Sequence, residues 1–482
     1  MTRIWGQGGI MLKMRILIYC NLIIISHQIY ADNQAHISIP LLYNTNDKHN
    51  ILKTKKNYAY VKKEGRTTTF MTYISAVNDL FPFAGRNLKQ MQNIGSNERL
   101  TITAHFDMHR PGQPKLTRRF LIGKNKLIQI GPDYSMDSGE VNTLTSFCKW
   151  AIESYPADDY ILVLWNHGTG ILEPIIKRAI NPAQLFTINP TTKLIELNRS
   201  ISFFDFIKEQ NALIKPELRG ICFDDTTGNY LTNQKLKEAL HIITNDYLKG
   251  NKLSLIGFDA CLMSMIEVAS IVKDYAHIMV SSQEVELGTG WPYAEVLAPY
   301  LTHSPDTITF AKHIVTSFDK AYSKITNDFT QSALDLAYLP LIEQNVDKLS
   351  LLLIKGLKNQ KNKTVKESIR LSRHKNFCTH FDETTYLDYK HLLTNLYSHI
   401  HRYELKTPQE TTHFRQELTT IIKEGLKLIN QVVIENAMGK NLQNAGGISI
   451  YLPEYQIHSS YRKSEFANNT HWLAFLIQYL TS

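Results

Sequence analysis

Short apolar runs rich in β-branched and aromatic residues recur along the chain at 67–75, 100–106, 118–123, 160–165, 220–223, 253–258 and 277–282. Runs that are apolar throughout, such as YILVLW at 160–165, read as strands buried on both faces of a parallel sheet. Amphipathic stretches at 139–154, 233–244 and 261–273 lie between them. The first carries Val141, Leu144, Phe147, Cys148 and Ile152 as one stripe, the spacing of a helix face. Strands alternating with helices predict an α/β fold with a mostly parallel sheet and helices on both faces.

Beyond residue 302 the pattern becomes mainly helical. One strand signal returns at 447–452 (GISIYL), stopped by Pro453, and is expected to rejoin the core. This divides the chain into a core at 67–302 and a helical region at 303–482. A long stretch at 171–218 lacks periodicity and exceeds an ordinary connection. It reads as an insertion and carries Lys177, Arg178, Lys193 and Arg199.

The first residues change the picture of location. Lys13 and Arg15 precede an apolar run at 16–26, and Ala31-Asp32 offers a cleavage point, so 1–31 is expected to be a signal peptide. The run is short of the ~20 residues of a spanning helix, so no stable membrane span is expected after its removal. Export places the protein in the periplasm, at the cell surface or outside.

The net charge of +9 is uneven. Lys48, Lys53, Lys55, Lys56, Lys62, Lys63 and Arg66 crowd a polar segment at 32–66, which reads as a linker or pro-segment. No aromatic ladder accompanies it, so nucleic acid is not an expected partner. The five cysteines contain no CxxC pair and are too sparse for a disulfide scaffold. Cys148 and Cys222 fall inside predicted elements and fit buried apolar roles.

Two strands end in reactive residues. One leads into Asn166-His167-Gly168, the other into Asp259-Ala260-Cys261. Ligands of open α/β sheets bind at the carboxyl ends of the strands. If the two strands are neighbours, a thiol meets an imidazole there, a nucleophile beside a base. A helix opening at Cys261 would favour its thiolate. The N–H groups of Gly168 and Cys261 would form an oxyanion hole. The plainer alternative is a buried cysteine and a hydrogen-bonded histidine, both structural.

The blocks around these residues resemble the clostripain family of cysteine peptidases. The carrying residues are Asn166-His167-Gly168-Thr169-Gly170 and Gly257-Phe258-Asp259-Ala260-Cys261-Leu262-Met263. Further similar blocks begin at Thr72 (TYISAVNDL), Phe223 (FDDTTGNYLT), Ser282 (SQEVE), Gly290 (GWPY) and Gly447 (GISIYLP), all in family order. The resemblance implies a caspase-like three-layer sandwich with a mostly parallel central sheet, plus a mainly helical C-terminal extension. It makes His167 the general acid/base and Cys261 the nucleophile of an acyl-enzyme. It also implies protein or peptide substrates cut after Arg or Lys. Asp259 is then the residue that pairs with the basic side chain, as a carboxylate suits a guanidinium. A helix N-cap is its other reading. Glu284 and Glu286 are further candidates for that pocket.

The resemblance further implies self-cleavage at basic residues, and calcium in some relatives. Asp224, Asp225 and Asn229 are oxygen ligands that calcium would accept. The chemistry itself needs no cofactor. His374, Cys378, His380 and Asp382 lack zinc spacing. The expected function is an exported cysteine endopeptidase. The alternatives are a non-catalytic binding protein on the same fold, and a transamidase using the same dyad. The oligomeric state stays open.

Overall fold

Strand β1, Thr68–Ala76 (TTFMTYISA), is buried at every position. Thr, Ile, Phe and Tyr dominate it, as suits a strand packed on both faces. The computed structural model describes residues 66–109, 113–172, 185–200, 220–359 and 362–482. The expected signal peptide and nearly all of the basic segment at 32–66 lie outside the described residues, as do Lys177 and Arg178.

The other strands are β2 (Leu100–Met108), β3 (Leu116–Gly123), β4 (Lys126–Tyr134), β5 (Asp159–Trp165), β6 (Phe186–Ile188), β7 (Ile195–Leu197), β8 (Ile221–Asp224), β9 (Asn229–Leu231), β10 (Leu253–Asp259), β11 (Ala276–Ser281), β12 (Thr330–Asp335), β13 (Tyr386–Asp388), β14 (Val433–Met438) and β15 (Ser449–Tyr451). Nine of them form one sheet in the order β14-β12-β11-β10-β5-β1-β2-β3-β4. Its centre, β11-β10-β5-β1-β2, is parallel throughout. Both flanks are antiparallel.

Helices cover both faces, completing the three layers. Met71 and Tyr73 of β1, Leu162 and Leu164 of β5, and Ile256 and Phe258 of β10 pack into one apolar cluster with helices Val141–Ser154, Asn233–Ile242 and Ile266–Val272. Helices Phe81–Ile94, Tyr293–Leu297 and Thr307–Tyr322 lie on the other side. Gly257 of β10 faces that side because a Cβ there would lie 2.6 Å from the Trp291 ring.

Two expectations change. Residues 447–452 do not rejoin the main sheet. Ser449–Tyr451 pairs antiparallel with Tyr386–Asp388 in a separate small sheet, though its side chains are buried. The long helix Pro408–Val432 runs straight into β14, which takes the edge position instead. That helix is started by a capping box between Thr407 and Glu410, with Pro408 in its first turn. No helix opens at Cys261 either. Leu262 N–H donates to the Glu284 carbonyl (3.2 Å) and Ser264 N–H to the Ser282 carbonyl (2.8 Å). The chain therefore runs beside the segment following β11, and the helix begins only at Ile266.

Candidate active site

Adjacency in the sheet builds the site. In the order β11-β10-β5-β1, the segments leaving the carboxyl ends carry, in turn, Glu284 and Glu286, then Cys261, then His167, then Asp79. Trp165 sits opposite Asp259 across β5 and β10, and Asn166 N–H donates to the Asp259 carbonyl at 3.3 Å. His167 and Cys261 each stand two residues beyond that pair, on adjoining strands. Asn166 secures the turn. Its amide donates to the Ser75 carbonyl, and its Oδ1 accepts from Phe223 N–H at 2.9 Å.

Cys261 is buried, and Glu286 N–H donates to its Sγ at 3.3 Å. Burial pushes the thiol well up from its ordinary value. The Glu286 N–H works the other way, while the charges of Glu286, Asp382 and Glu284 add to the rise. No helix N-terminus stands at Cys261 to oppose that rise. Leu262, next in the chain, has φ of 61° in the left-handed region, an uncommon state for a side chain of its size. The turn that presents the sulfur is thus strained and held by its surroundings.

His167 is buried, and its Nε2 lies 2.7 Å from Asp79 Oδ1. A carboxylate only accepts, so Nε2 is the donor in this contact. Asp79 is the residue that motif reading passed over. It stood in the Asn-Asp-Leu block, and the signal was its place at the end of the strand beside the histidine strand. Asp225 belongs here as well. Burial, opposed by His167 and reinforced by Asp79 and Asp224, pushes its carboxyl up to about 7.

The contacts of Asp224 and Asp225 give the calcium reading no support. Asp224 is taken by the Lys115 ammonium, which also lies 3.2 Å from Asp107. Asp225 is drawn to His167 rather than to a shared oxygen cage. Among the described residues no cluster of His, Cys, Asp or Glu could hold a metal ion, and His380 is instead bound to the carbonyls of Thr384 and Arg373 (both 2.6 Å).

Gly168 sits against the nucleophile turn. A Cβ on it would fall 2.5 Å from the Cys261 carbonyl oxygen and 2.9 Å from Met263 Sδ. Gly168→Ala is expected to force the two turns apart. Turnover should drop more than about ten-fold while far-UV circular dichroism keeps its native shape. Alanine with full activity would show that this approach does not matter.

The acidic candidates separate. Asp259 accepts from Trp291 N–H (3.1 Å) and Tyr293 Oη (2.8 Å) on the Trp165 side of the sheet. It caps no helix. Its carboxyl lies within hydrogen-bond reach of Glu286. Burial pushes Asp259 up to about 6, despite those donors, and pushes Glu286 well up, with Asp259 adding to the rise. Apart from that carboxyl contact, Glu286 Oε2 and Gln331 Oε1 meet no donor among the described residues. Gln331 Nε2 donates to Glu286 Oε1 at 3.3 Å, so the three form one buried acidic group. Gln331 on β12 was not singled out in the sequence. Glu284 is elsewhere, paired with Arg199 at 2.7 Å.

Comparison with known proteins follows this geometry. The profile of the clostripain family matches residues 72–180 and 205–478. Clostripain from Hathewaya histolytica is 22% identical over 369 residues, covering 69% of this chain and 61% of that protein. The chain thus spans less than two thirds of that relative's length. A secreted C11 cysteine protease from Bacteroides thetaiotaomicron, solved with an irreversible peptide inhibitor, superposes with a TM-score of 0.51 at 17% identity, covering 85% of this chain and 99% of that one. An inactive zymogen C11 protease from Parabacteroides distasonis gives 0.53 at 16% identity, covering 86% and 99%. These likenesses fix the caspase-like α/β architecture, and with the matched profile the chain belongs to the clostripain family of cysteine proteases.

Proposed function

We propose that this chain is an exported cysteine endopeptidase that cuts after Arg or Lys through His167 and Cys261. The observation that carries it is the strand-end order Cys261, His167, Asp79 across adjoining parallel strands. In the reaction, His167 Nδ1 takes the thiol proton as Sγ attacks the substrate carbonyl carbon. The N–H groups of Cys261 and Gly168 receive the oxyanion. His167 then passes its proton to the leaving amine, and the acyl-enzyme forms. Water, deprotonated by His167, releases the acid and restores the thiol. The inhibitor complex of the Bacteroides protease supports a peptide as the occupant, and the description of that relative as secreted supports export.

Preference for a basic side chain rests on Asp259, Glu286 and Gln331, whose buried acceptors an arginine or lysine would satisfy. Self-processing at a basic residue of the insertion belongs to the same reading. Among the described ones, Lys193 is exposed at the turn between β6 and β7. The test uses protein from Asp32 onward with peptides bearing Arg, Lys, Asp or Leu before a reporter amide. Turnover of the Arg and Lys peptides alone, lost in Cys261→Ala, supports the proposal. Equal turnover of all four overturns the specificity.

Asp79→Asn should leave KM close to wild type and lower kcat by about 10²-fold, as an amide no longer fixes the tautomer. The pH–kcat profile should move with it. A variant that lost activity through misfolding would leave that profile unshifted in the surviving fraction.

A further inference from the structure

Glu284 is a fully buried carboxylate in an acidic neighbourhood. Asp328, Asp382 and Glu286 are buried around the same segment. Glu284 Oε1 accepts N–H groups of Val285 (2.8 Å) and Asp382 (3.0 Å). Its Oε2 is met by Arg199 Nη1 at 2.7 Å, and Arg199 Nη2 reaches Asp328 Oδ1 at 3.0 Å. One guanidinium thus spans two carboxylates, each met by its own nitrogen of the planar fork.

The arginine comes from the insertion, just after β7. That strand is docked on the body independently. Ile195 N–H donates to the Ile325 carbonyl (2.8 Å) and Leu197 N–H to Asp328 Oδ2 (2.9 Å). Glu284 in turn touches the nucleophile turn directly. Its carbonyl accepts Leu262 N–H, and two residues on, Glu286 N–H meets the Cys261 sulfur. A short chain of contacts therefore leads from the insertion to the thiol.

We propose that Arg199 is a positioning residue for the nucleophile: it offsets the Glu284 charge behind Cys261, easing formation of the thiolate, and steadies the loop that carries the Glu286 N–H. This rests on Cys261 being the nucleophile. The titratable groups acting on the sulfur are Glu284 and Glu286 after β11, Asp382 ahead of β13 and Tyr322 on helix Thr307–Tyr322, and His167 stands at the end of the adjoining strand β5. Glu284 is the carboxylate among them that Arg199 pairs with. An unpaired anion there opposes a second one at Cys261. The pairing gives a segment of the insertion a part in the chemistry without contact with the reacting atoms.

The test follows the rate of Cys261 alkylation by iodoacetamide against pH, read by peptide mass, in the full chain. Wild type is compared with Arg199→Met, Glu284→Gln and the double variant, alongside kcat/KM for an Arg peptide. Arg199→Met should move the midpoint up by about one pH unit, slowing alkylation about ten-fold at neutral pH. Glu284→Gln should move it down, since the guanidinium is then less opposed. The double variant should return close to wild type. Identical midpoints, or a rise in Arg199→Met that Glu284→Gln does not reverse, would overturn the proposal. Should Arg199→Met fail to fold, Glu284→Gln decides alone: a fall supports it and no movement sinks it. Peptide turnover persisting in Cys261→Ala would instead remove the underlying nucleophile assignment, whatever the midpoints do.

Discussion

Cys261→Ala and His167→Ala are each expected to lower kcat for an Arg peptide by about 10⁴-fold or more, and the double variant to lose no more than either alone. Residues that act as one unit show this non-additivity, because removing either partner already ends covalent catalysis. The structure sharpens the expectation. The Cys261 thiol is buried and pushed well up from its ordinary value, so it has no route to the thiolate without a base. His167, tethered through Nε2 to Asp79, is the proposed base. Both variants should keep the wild-type melting temperature within a few degrees, since neither side chain carries the core. Single-turnover kinetics with mass detection would check the acyl-enzyme. A His167→Ala protein that still acylates at the wild-type rate would refute the assignment of the base.

The second large effect concerns the buried acidic group. Asp259→Asn or Glu286→Gln should each lower kcat/KM for Arg and Lys peptides by roughly 10²- to 10³-fold, in line with losing one partner of a desolvated charge pair. The pH dependence follows from the same pair. With Asp259 pushed up to about 6 and Glu286 also pushed well up, the pair holds on to a proton that a cationic side chain must displace. Affinity for Arg peptides should therefore rise as pH climbs through about 6. The stability sign is opposite. A carboxyl whose folded value is raised contributes most when protonated, and that contribution fades as pH rises through about 6. Glu286→Gln should consequently hold or raise the melting temperature at pH 8. A fall there would mean the carboxylate is needed by the fold rather than by substrate.

Much of this was legible along the chain. The strands leading to His167 and Cys261 are apolar throughout, and both are found within a residue of the expected bounds. Their adjacency was a hypothesis of topology, and pairing of Trp165 with Asp259 supplies it. What periodicity could not show is local competition. The run from Cys261 has the composition of a helix, yet its first N–H groups are claimed by the carbonyls of Glu284 and Ser282. β4 has no buried position and mixes Lys, Gln, Gly, Pro and Asp with its apolar residues, which hid it, and β14 follows a helix without a turn signal. Asp79 and Gln331 join the site through non-local pairing, which no spacing encodes. Lys115 counts against the calcium reading for the same reason, since it meets Asp224 from far along the chain.

The insertion lies in the chain between β5 and β10, yet those strands are nearest neighbours in the sheet. Their union is made by the backbone ladder and a shared apolar layer, with nothing owed to the covalent path between them. Continuity of the peptide at that point is therefore not what holds the two strands side by side. A nicked enzyme would travel as one particle through a sizing column and as separate bands on a denaturing gel. The two pieces could equally be encoded as separate polypeptides and left to find each other, with the thiol on one and the imidazole on the other. Activity would then become a readout of their assembly.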